Sequence, residues 1–303
     1  MKFTLAQQTR IGGRSYNQDR VGHVATDAAL LMVVADGMGG HYRGEIAAEL
    51  AVANMAAAFR REAQPKLADP ETFLFRAIGR AHLAILRNAQ EKAMPESPRT
   101  VLVACVVQDG HVYWSHIGDS RLYLIRHGRI LARTKDHSYV QHLVDIGRIR
   151  EEAIPVHPER NRVLQCVGGP VTPKLEPAAT ARLERDDVVL LCSDGFWGPL
   201  TQRQMLNALI GRPVGEAIPE LTELAERRAG PHSDNITVIA MAWNEEAVEA
   251  AESPHTLPQQ DLPTDVRDFT ATEPDFMHMS DAEIERAVDE IREALRKNRQ
   301  EKA

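Results

Sequence analysis

Five aspartates of this chain stand where apolar runs begin or end, and carboxylates in that setting are ligands for hard cations. Val33-Val34-Ala35-Asp36-Gly37-Met38-Gly39-Gly40-His41 is an apolar run that closes on an acid and a glycine-rich turn. There Asp36 can project a carboxylate out of a sheet, and Gly37 can bring its backbone carbonyl to the same ion. Taken alone, the segment reads equally as a metal ligand or as an ordinary strand-ending turn; a phosphate cradle at a helix start is a further reading, although the lysine and spacing of a P-loop are missing. The arrangement recurs, however. Val188–Cys192 runs through Ser193 into Asp194-Gly195, Ile117-Gly118-Asp119-Ser120-Arg121 puts an acid at a strand junction, and Ser233-Asp234-Asn235 precedes the apolar run 236–240. Asn17-Gln18-Asp19 stands before another strand. Oxygen ligands of this kind suit Mg²⁺ or Mn²⁺, which favour carboxylates and retained waters.

The elements that must hold these acids follow from periodicity. Strands are expected at 2–9, 21–25, 30–35, 101–107, 112–117, 122–125, 130–132, 174–183, 188–192 and 236–243. Helices are expected at 45–62 and 71–92, with Asp69-Pro70 as a start signal, and at 201–210 and 215–228. Asp109-Gly110 and His127-Gly128 are hairpin turns. A short helix over 138–146 closes at Gly147, and the chain from there to about 165 reads as an irregular surface excursion. Strands grouped in hairpins and helices in pairs imply an α+β chain with antiparallel sheets and helices layered on them.

These motifs in order resemble the type-2C, metal-dependent Ser/Thr protein phosphatases in their bacterial form. The resemblance rests on Arg14-x-x-Asn17-Gln18-Asp19, Ala35-Asp36-Gly37-Met38-Gly39-Gly40-His41, Gly118-Asp119-Ser120-Arg121, Asp136-His137-Ser138, Ser193-Asp194-Gly195 and Ser233-Asp234-Asn235. It covers about residues 3–243 in the family's order and spacing. It implies an αββα sandwich of two mostly antiparallel sheets flanked by helical pairs, with a two-metal site at one end. In that picture Asp36 bridges two Mn²⁺ or Mg²⁺ ions, the Gly37 carbonyl binds one of them, and Asp194 and Asp234 hold the other. Asp119 would bind a third ion. Asp19, with Gln18 and Asn235, would support the site from behind, and Arg14 would grip the phosphate, as a bidentate guanidinium can. A water between the two cations would attack phosphorus in line, without a protein nucleophile. The segment 138–165 resembles the variable flap of bacterial members.

Two positions depart from the family. Gln18 stands where Glu is frequent, keeping an oxygen and losing a charge. Met38 stands where animal members carry a His thought to protonate the leaving group, which leaves His41 or a metal-held water as the acid.

Other phosphatase chemistries fail on their motifs. A cysteine phosphatase needs Arg six residues after its Cys, but His111, Thr172 and Gly198 occupy those positions. The Asp-x-Asp of aspartyl-phosphate enzymes and the Gly-Asn-His-Glu of calcineurin-like enzymes are missing. Two readings remain beside a protein phosphatase. A phosphopeptide-binding pseudophosphatase would lack Mn²⁺-dependent turnover, and a small-molecule phosphoesterase would prefer metabolites to phosphopeptides.

Charge is uneven along the 303 residues. The net charge is −7, and residues 244–303 carry 16 acids and 7 bases, so the preceding body is near neutral. A body with no basic stripe argues against nucleic-acid binding. The apolar runs 28–35 and 101–107 fall well short of the roughly 20 residues that span a bilayer, the first residues turn polar too soon for a secretory signal, and three scattered cysteines, Cys105, Cys166 and Cys192, read as reduced thiols. A cytoplasmic protein is expected. The phosphatase domain is assigned to 1–243, an acidic Pro-containing linker to 244–279, and an amphipathic helix to 280–300. That helix opens on the capping box Ser280-Asp281-Ala282-Glu283 and would dock on the phosphatase body, a second copy of the chain, or a partner such as a cognate kinase or scaffold.

Overall fold

In the computed structural model the described residues are 1–38 and 43–244. Gly39, Gly40, His41, the remainder of the expected linker and the 280–300 helix lie outside them.

Among the described residues ten strands form two sheets, each of five strands and each antiparallel throughout. One is ordered β1 (Phe3–Arg10), β10 (Ile236–Trp243), β9 (Val188–Cys192), β6 (Arg121–Arg126) and β7 (Arg129–Arg133). The other is ordered β2 (Arg20–Ala25), β3 (Ala29–Gly37), β4 (Thr100–Gln108), β5 (His111–Ile117) and β8 (Ala179–Arg182). Helices α1 (Gly44–Glu62) and α2 (Pro70–Glu91) lie on the outer face of the second sheet. Helices α5 (Gln202–Leu209) and α6 (Val214–Ala229) lie on the first, after the short α4 (Asp194–Trp197). Helix α3 (Tyr139–Asp145) and a single 3-10 turn over Glu151–Val156 sit in the flap-like segment.

The central strands are apolar on both faces because both faces are covered. Along β3, Leu31, Val33 and Ala35 pack on α1 and α2, while Leu30, Met32 and Val34 meet the opposite sheet. Along β9, Leu190 and Cys192 face α5 and α6, while Val189 and Leu191 face inward. This two-residue alternation turns a continuous apolar run into a middle layer. Cys105 and Cys192 are buried, and burial pushes both thiols up, so neither is a reactive thiolate.

Local signals hold where backbone chemistry dictates them. Asp109-Gly110 and His127-Gly128 both have φ between 47° and 70° in successive residues, the left-handed pair that a two-residue hairpin needs. Asp69 caps α2 by accepting from Glu71 N and Thr72 N at 3.0 and 3.1 Å, with Pro70 at the first helical position. Ser138 and Thr201 cap α3 and α5.

One expectation is corrected, and one element carries no signal in the sequence. The strand expected over 174–183 shrinks to Ala179–Arg182, which pairs only with His111–Trp114 at the sheet edge. Pro173 and Pro177 offer no N–H for an extended ladder. Residue 194 opens a four-residue helix that no periodic apolar pattern announces.

Among the described residues no helix is long and apolar enough to cross a membrane.

Candidate active site

The strand registers bring the five acids to one end of the sandwich. In the first sheet Arg121 and Val238 both lie opposite Cys192, so three neighbouring strands are aligned there. Asp119 comes two residues before that level on β6, Asp194 two residues after it on β9, and Asp234 four residues before it on β10. The alternating strand directions carry all three off the same end. In the second sheet Arg20 lies opposite Ala35, which sets Asp19 level with Asp36. Ser193 ties the sheets together, its hydroxyl donating to Asp19 Oδ2 at 2.8 Å while accepting from Thr237 N at 3.0 Å.

Asp19 and Asp119 are buried, and Asp36, Asp194 and Asp234 are half-buried at the mouth of this end. The electrostatics are those of acids packed without enough cations. Burial first, then the neighbouring carboxylates Asp19, Asp194, Asp119 and Asp234, hold the Asp36 carboxyl well above its ordinary value. Burial, then Asp119, Asp234 and Asp19, does the same to Asp194. Burial lifts Asp19 to about 6 against the opposing bond from Ser193, and burial with the nearby Asp136 lifts Asp119 to about 7. Carboxylate crowding thus adds to burial in raising the cost of ionising Asp36 and Asp194.

Close backbone packing fixes where Asp36 sits. A Cβ on Gly37 would lie 2.5 Å from Gly44 C and 2.7 Å from Gln18 O, and one on Gly44 would lie 2.8 Å from Gly37 C. Only a glycine pair lets β3 and the start of α1 touch here. Gly37 N donates to Gln18 O at 3.2 Å, and Thr100 Oγ1 donates to Asp36 O at 2.7 Å. Gln18 Nε2 reaches Glu45 Oε2, in the first turn of α1, at 3.4 Å. Met38 N is held by Arg99 O at 3.0 Å.

Asn235 braces the segment that carries Arg14. Its Nδ2 donates to the carbonyls of Ile11 and Tyr16, its Oδ1 accepts from Gln18 N at 2.8 Å, and its own N–H donates to Asp234 Oδ1 at 2.8 Å. Arg14 leans on the site itself, Nη2 donating to Asp234 Oδ2 at 2.6 Å, with half of its side chain exposed.

Contacts that motif reading missed anchor Asp119 and the flap-like segment. Arg121 makes a bidentate pair with Asp136, 2.8 Å from Nε and from Nη2, and its guanidinium lies 3.4 Å over the Trp197 ring. Trp197 Nε1 donates to Asp119 O at 3.0 Å. His137 N donates to Gly118 O at 2.8 Å, and Gly118 N donates to His137 Nδ1 at 3.2 Å. Burial and the stacked His116 ring push His137 down to about 4, so it is the neutral acceptor this bond requires. The neck of the segment is closed by Tyr139 N to Arg162 O and Leu164 N to His137 O, both 2.8 Å. Its far root is tied to β4 by reciprocal Thr100–Val167 bonds of 3.0 and 2.8 Å. Arg121, Asp136 and His137 stand in the quoted motifs, but their pairing across the fold leaves no signal in the linear spacing.

The structure thus brings together Asp19, Asp36, Asp119, Asp194 and Asp234, with Arg14, Gln18, Gly37 and Asn235 around them. Among the described residues no three acidic, His or Cys side chains close on a single point as they would around one ion. The donor set nevertheless fits divalent cations. It is all oxygen, it is partly open to solvent, and its carboxylates are destabilised by one another, while one of the two arginines is already committed to Asp136. Cations would relieve that repulsion. Such an end could polarise a phosphoryl group and orient a water.

Known proteins resemble this chain over most of its length. The family model for protein phosphatase 2C matches residues 6–229. The Ser/Thr protein phosphatase PstP of Mycobacterium tuberculosis is 37% identical over 227 residues, which is 75% of this chain and 42% of PstP, so the chain spans less than half the length of that relative. A putative 2C-type phosphatase of Streptococcus pyogenes is 34% identical over 250 residues, covering 81% of this chain and 98% of that protein. A crystal structure of the PstP catalytic domain in complex with two manganese ions superposes with a TM-score of 0.67 at 32% identity, covering 79% of this chain and 97% of that one.

Proposed function

We propose, from the premise that the chain belongs to the protein phosphatase 2C family, that it hydrolyses phosphoserine and phosphothreonine in proteins with two divalent cations, Mn²⁺ or Mg²⁺. The observation that carries this reading is the convergence of five aspartates at one end of the sandwich beside a half-exposed arginine.

Asp36, the Gly37 carbonyl, Asp194 and Asp234 would hold the two cations, and Asp119 a third. Bound there, the cations supply an acidified water and offset charge on attacking and leaving oxygens. The chain's own residues do the rest. Asp19, held by Ser193, sets the position of Asp36 from behind. Asn235 fixes Asp234 against the 11–18 segment, and Gln18 holds the Gly37 backbone. Arg14, close enough to bond Asp234, would turn its free donors to the phosphate. The segment 138–165 would act as a flap over the site on a domain of residues 1–243.

Phosphorylated proteins are the proposed partners, and the role is signalling in the cytoplasm, without nucleic-acid or membrane binding. The 280–300 segment is proposed to recruit a protein such as a Ser/Thr kinase or a scaffold.

The test is hydrolysis of a phosphothreonine peptide by protein stripped with EDTA and reconstituted with Mn²⁺. Activity should vanish on stripping and return with the ion. Full activity in the stripped protein would overturn the two-metal reading, and reconstituted protein that binds the peptide without turning it over would be a pseudophosphatase. Faster turnover of phosphorylated metabolites than of phosphopeptides would overturn the protein substrate.

A further inference from the structure

Two large apolar side chains flank Arg14 on a braced stretch of backbone. Ile11 is 45% exposed and Tyr16 54% exposed. Their carbonyls accept from the same Asn235 Nδ2, at 2.9 and 3.1 Å, so one side-chain amide holds both residues together. Gly13 N adds bonds to Ser233 O at 3.0 Å and Ser233 Oγ at 2.8 Å, pressing the stretch onto the turn that carries Asp234. The backbone is therefore held at both residues, yet each remains about half exposed. Neither contributes to a hydrophobic core of the fold.

We propose that Ile11 and Tyr16 form an apolar shelf that receives a large apolar residue of the substrate within two positions of the phosphorylated side chain. The inference rests on the phosphatase reading above. A phosphate gripped by Arg14 brings its own polypeptide over this stretch, and an extended chain advances about 3.3–3.6 Å per residue. Residues next to the phosphorylated one therefore fall within reach of Tyr16, two positions from Arg14, and of Ile11, held beside it. Leu, Ile or Phe there would cover both side chains without desolvating a charge. A charged flank would leave the two apolar groups uncovered.

The test uses the full chain with Mn²⁺ and matched phosphothreonine peptides that carry Leu, Gly, Glu or Lys on both sides of the phosphoresidue. The Leu peptide should exceed the Gly, Glu and Lys peptides in kcat/KM by about fivefold, mostly through KM. Tyr16→Ser and Ile11→Ser should each shrink that ratio, and the double variant should bring it near one. Tyr16→Phe, which keeps the ring, should retain it. Both side chains are exposed, so thermal melting of the variants should match the parent. No flank preference in the parent, a preference for Glu or Lys, or an apolar preference that survives the double substitution would each overturn the shelf while leaving the phosphatase reading intact. Absence of hydrolysis with every peptide would overturn the phosphatase reading and the shelf with it.

Discussion

Two Arg–Asp pairs sit within the same end of the sandwich and differ in almost every physical respect. Arg121 and Asp136 are 7% and 2% exposed in their side chains, joined by two parallel bonds of 2.8 Å, with Trp197 capping the guanidinium. Arg14 and Asp234 are 50% and 35% exposed and joined by one bond. The first pair has spent its charge on its partner and can do nothing but hold β6 to the root of the flap-like segment. The second retains spare donors on the guanidinium, and its acid stands near Asp19, Asp36, Asp119 and Asp194, whose carboxyls it raises. Identical residue types are therefore closed on each other in one place and left open beside crowded acids in the other, and what separates them is how completely each charge is matched.

Breaking the closed pair should have the largest effect. Asp136→Ala leaves the Arg121 guanidinium buried and unpaired, and the fold should lose about 3–5 kcal/mol by denaturant unfolding. A variant as stable as the parent would show that the pair is not structural.

Removing an unmatched acid should act in the opposite sense. Asp36→Asn should cut kcat by at least about 10², roughly 2.7 kcal/mol of transition-state stabilisation. The metal-free variant should nonetheless melt no lower than the parent, because a source of repulsion has gone. Retained turnover on a phosphopeptide would remove Asp36 from the catalytic centre.

The unmatched group also predicts a pH dependence. Asp19 near 6 and Asp119 near 7 lie above the ordinary unfolded value of about 3.9. Between about pH 4 and pH 7 the folded state keeps protons that the unfolded state has released, so metal-free stability should fall as pH rises through that window. Mn²⁺ should abolish the fall by replacing the protons. Thermal unfolding in EDTA across that range, repeated with Mn²⁺, reads both. A metal-free stability that rises through the window would contradict the crowding of acids.

Arg14→Ala should have the smallest effect. An exposed pair contributes about 0–1 kcal/mol to stability, so melting should scarcely move. KM for a phosphopeptide should rise about fivefold, near 1 kcal/mol of ground-state binding. Unchanged kcat and KM would exclude Arg14 from phosphate binding.

What could be read without coordinates was whatever the backbone enforces locally. Asp109-Gly110 had to be a tight turn because two successive left-handed residues leave few alternatives, and Asp69-Pro70 had to start a helix. The five acids were visible because each closes or opens an apolar run. The matched pair was hidden for the converse reason: Arg121 and Asp136 are fifteen positions apart, and only the return of the chain after β7 brings them together. Helix α4 was hidden because four residues are too few for a period. The 174–183 run misled because apolar content alone does not show that only Ala179–Arg182 finds a partner strand.

The hydrogen-bonded neck of the flap-like segment has an evolutionary consequence. Its bonds to the body use His137 and Val167, and its closure uses Tyr139, Arg162 and Leu164. Between Val140 and Asn161 the ties to the preceding chain are surface ion pairs, Glu151 with Arg133 and Asp145 with Lys135. The fold therefore contains two cut points between which sequence can be exchanged, lengthened or shortened by recombination while the turns bearing Asp36 and Asp119 keep their supports. A lineage could retarget such a protein by trading that cassette and inherit the acidic end unchanged.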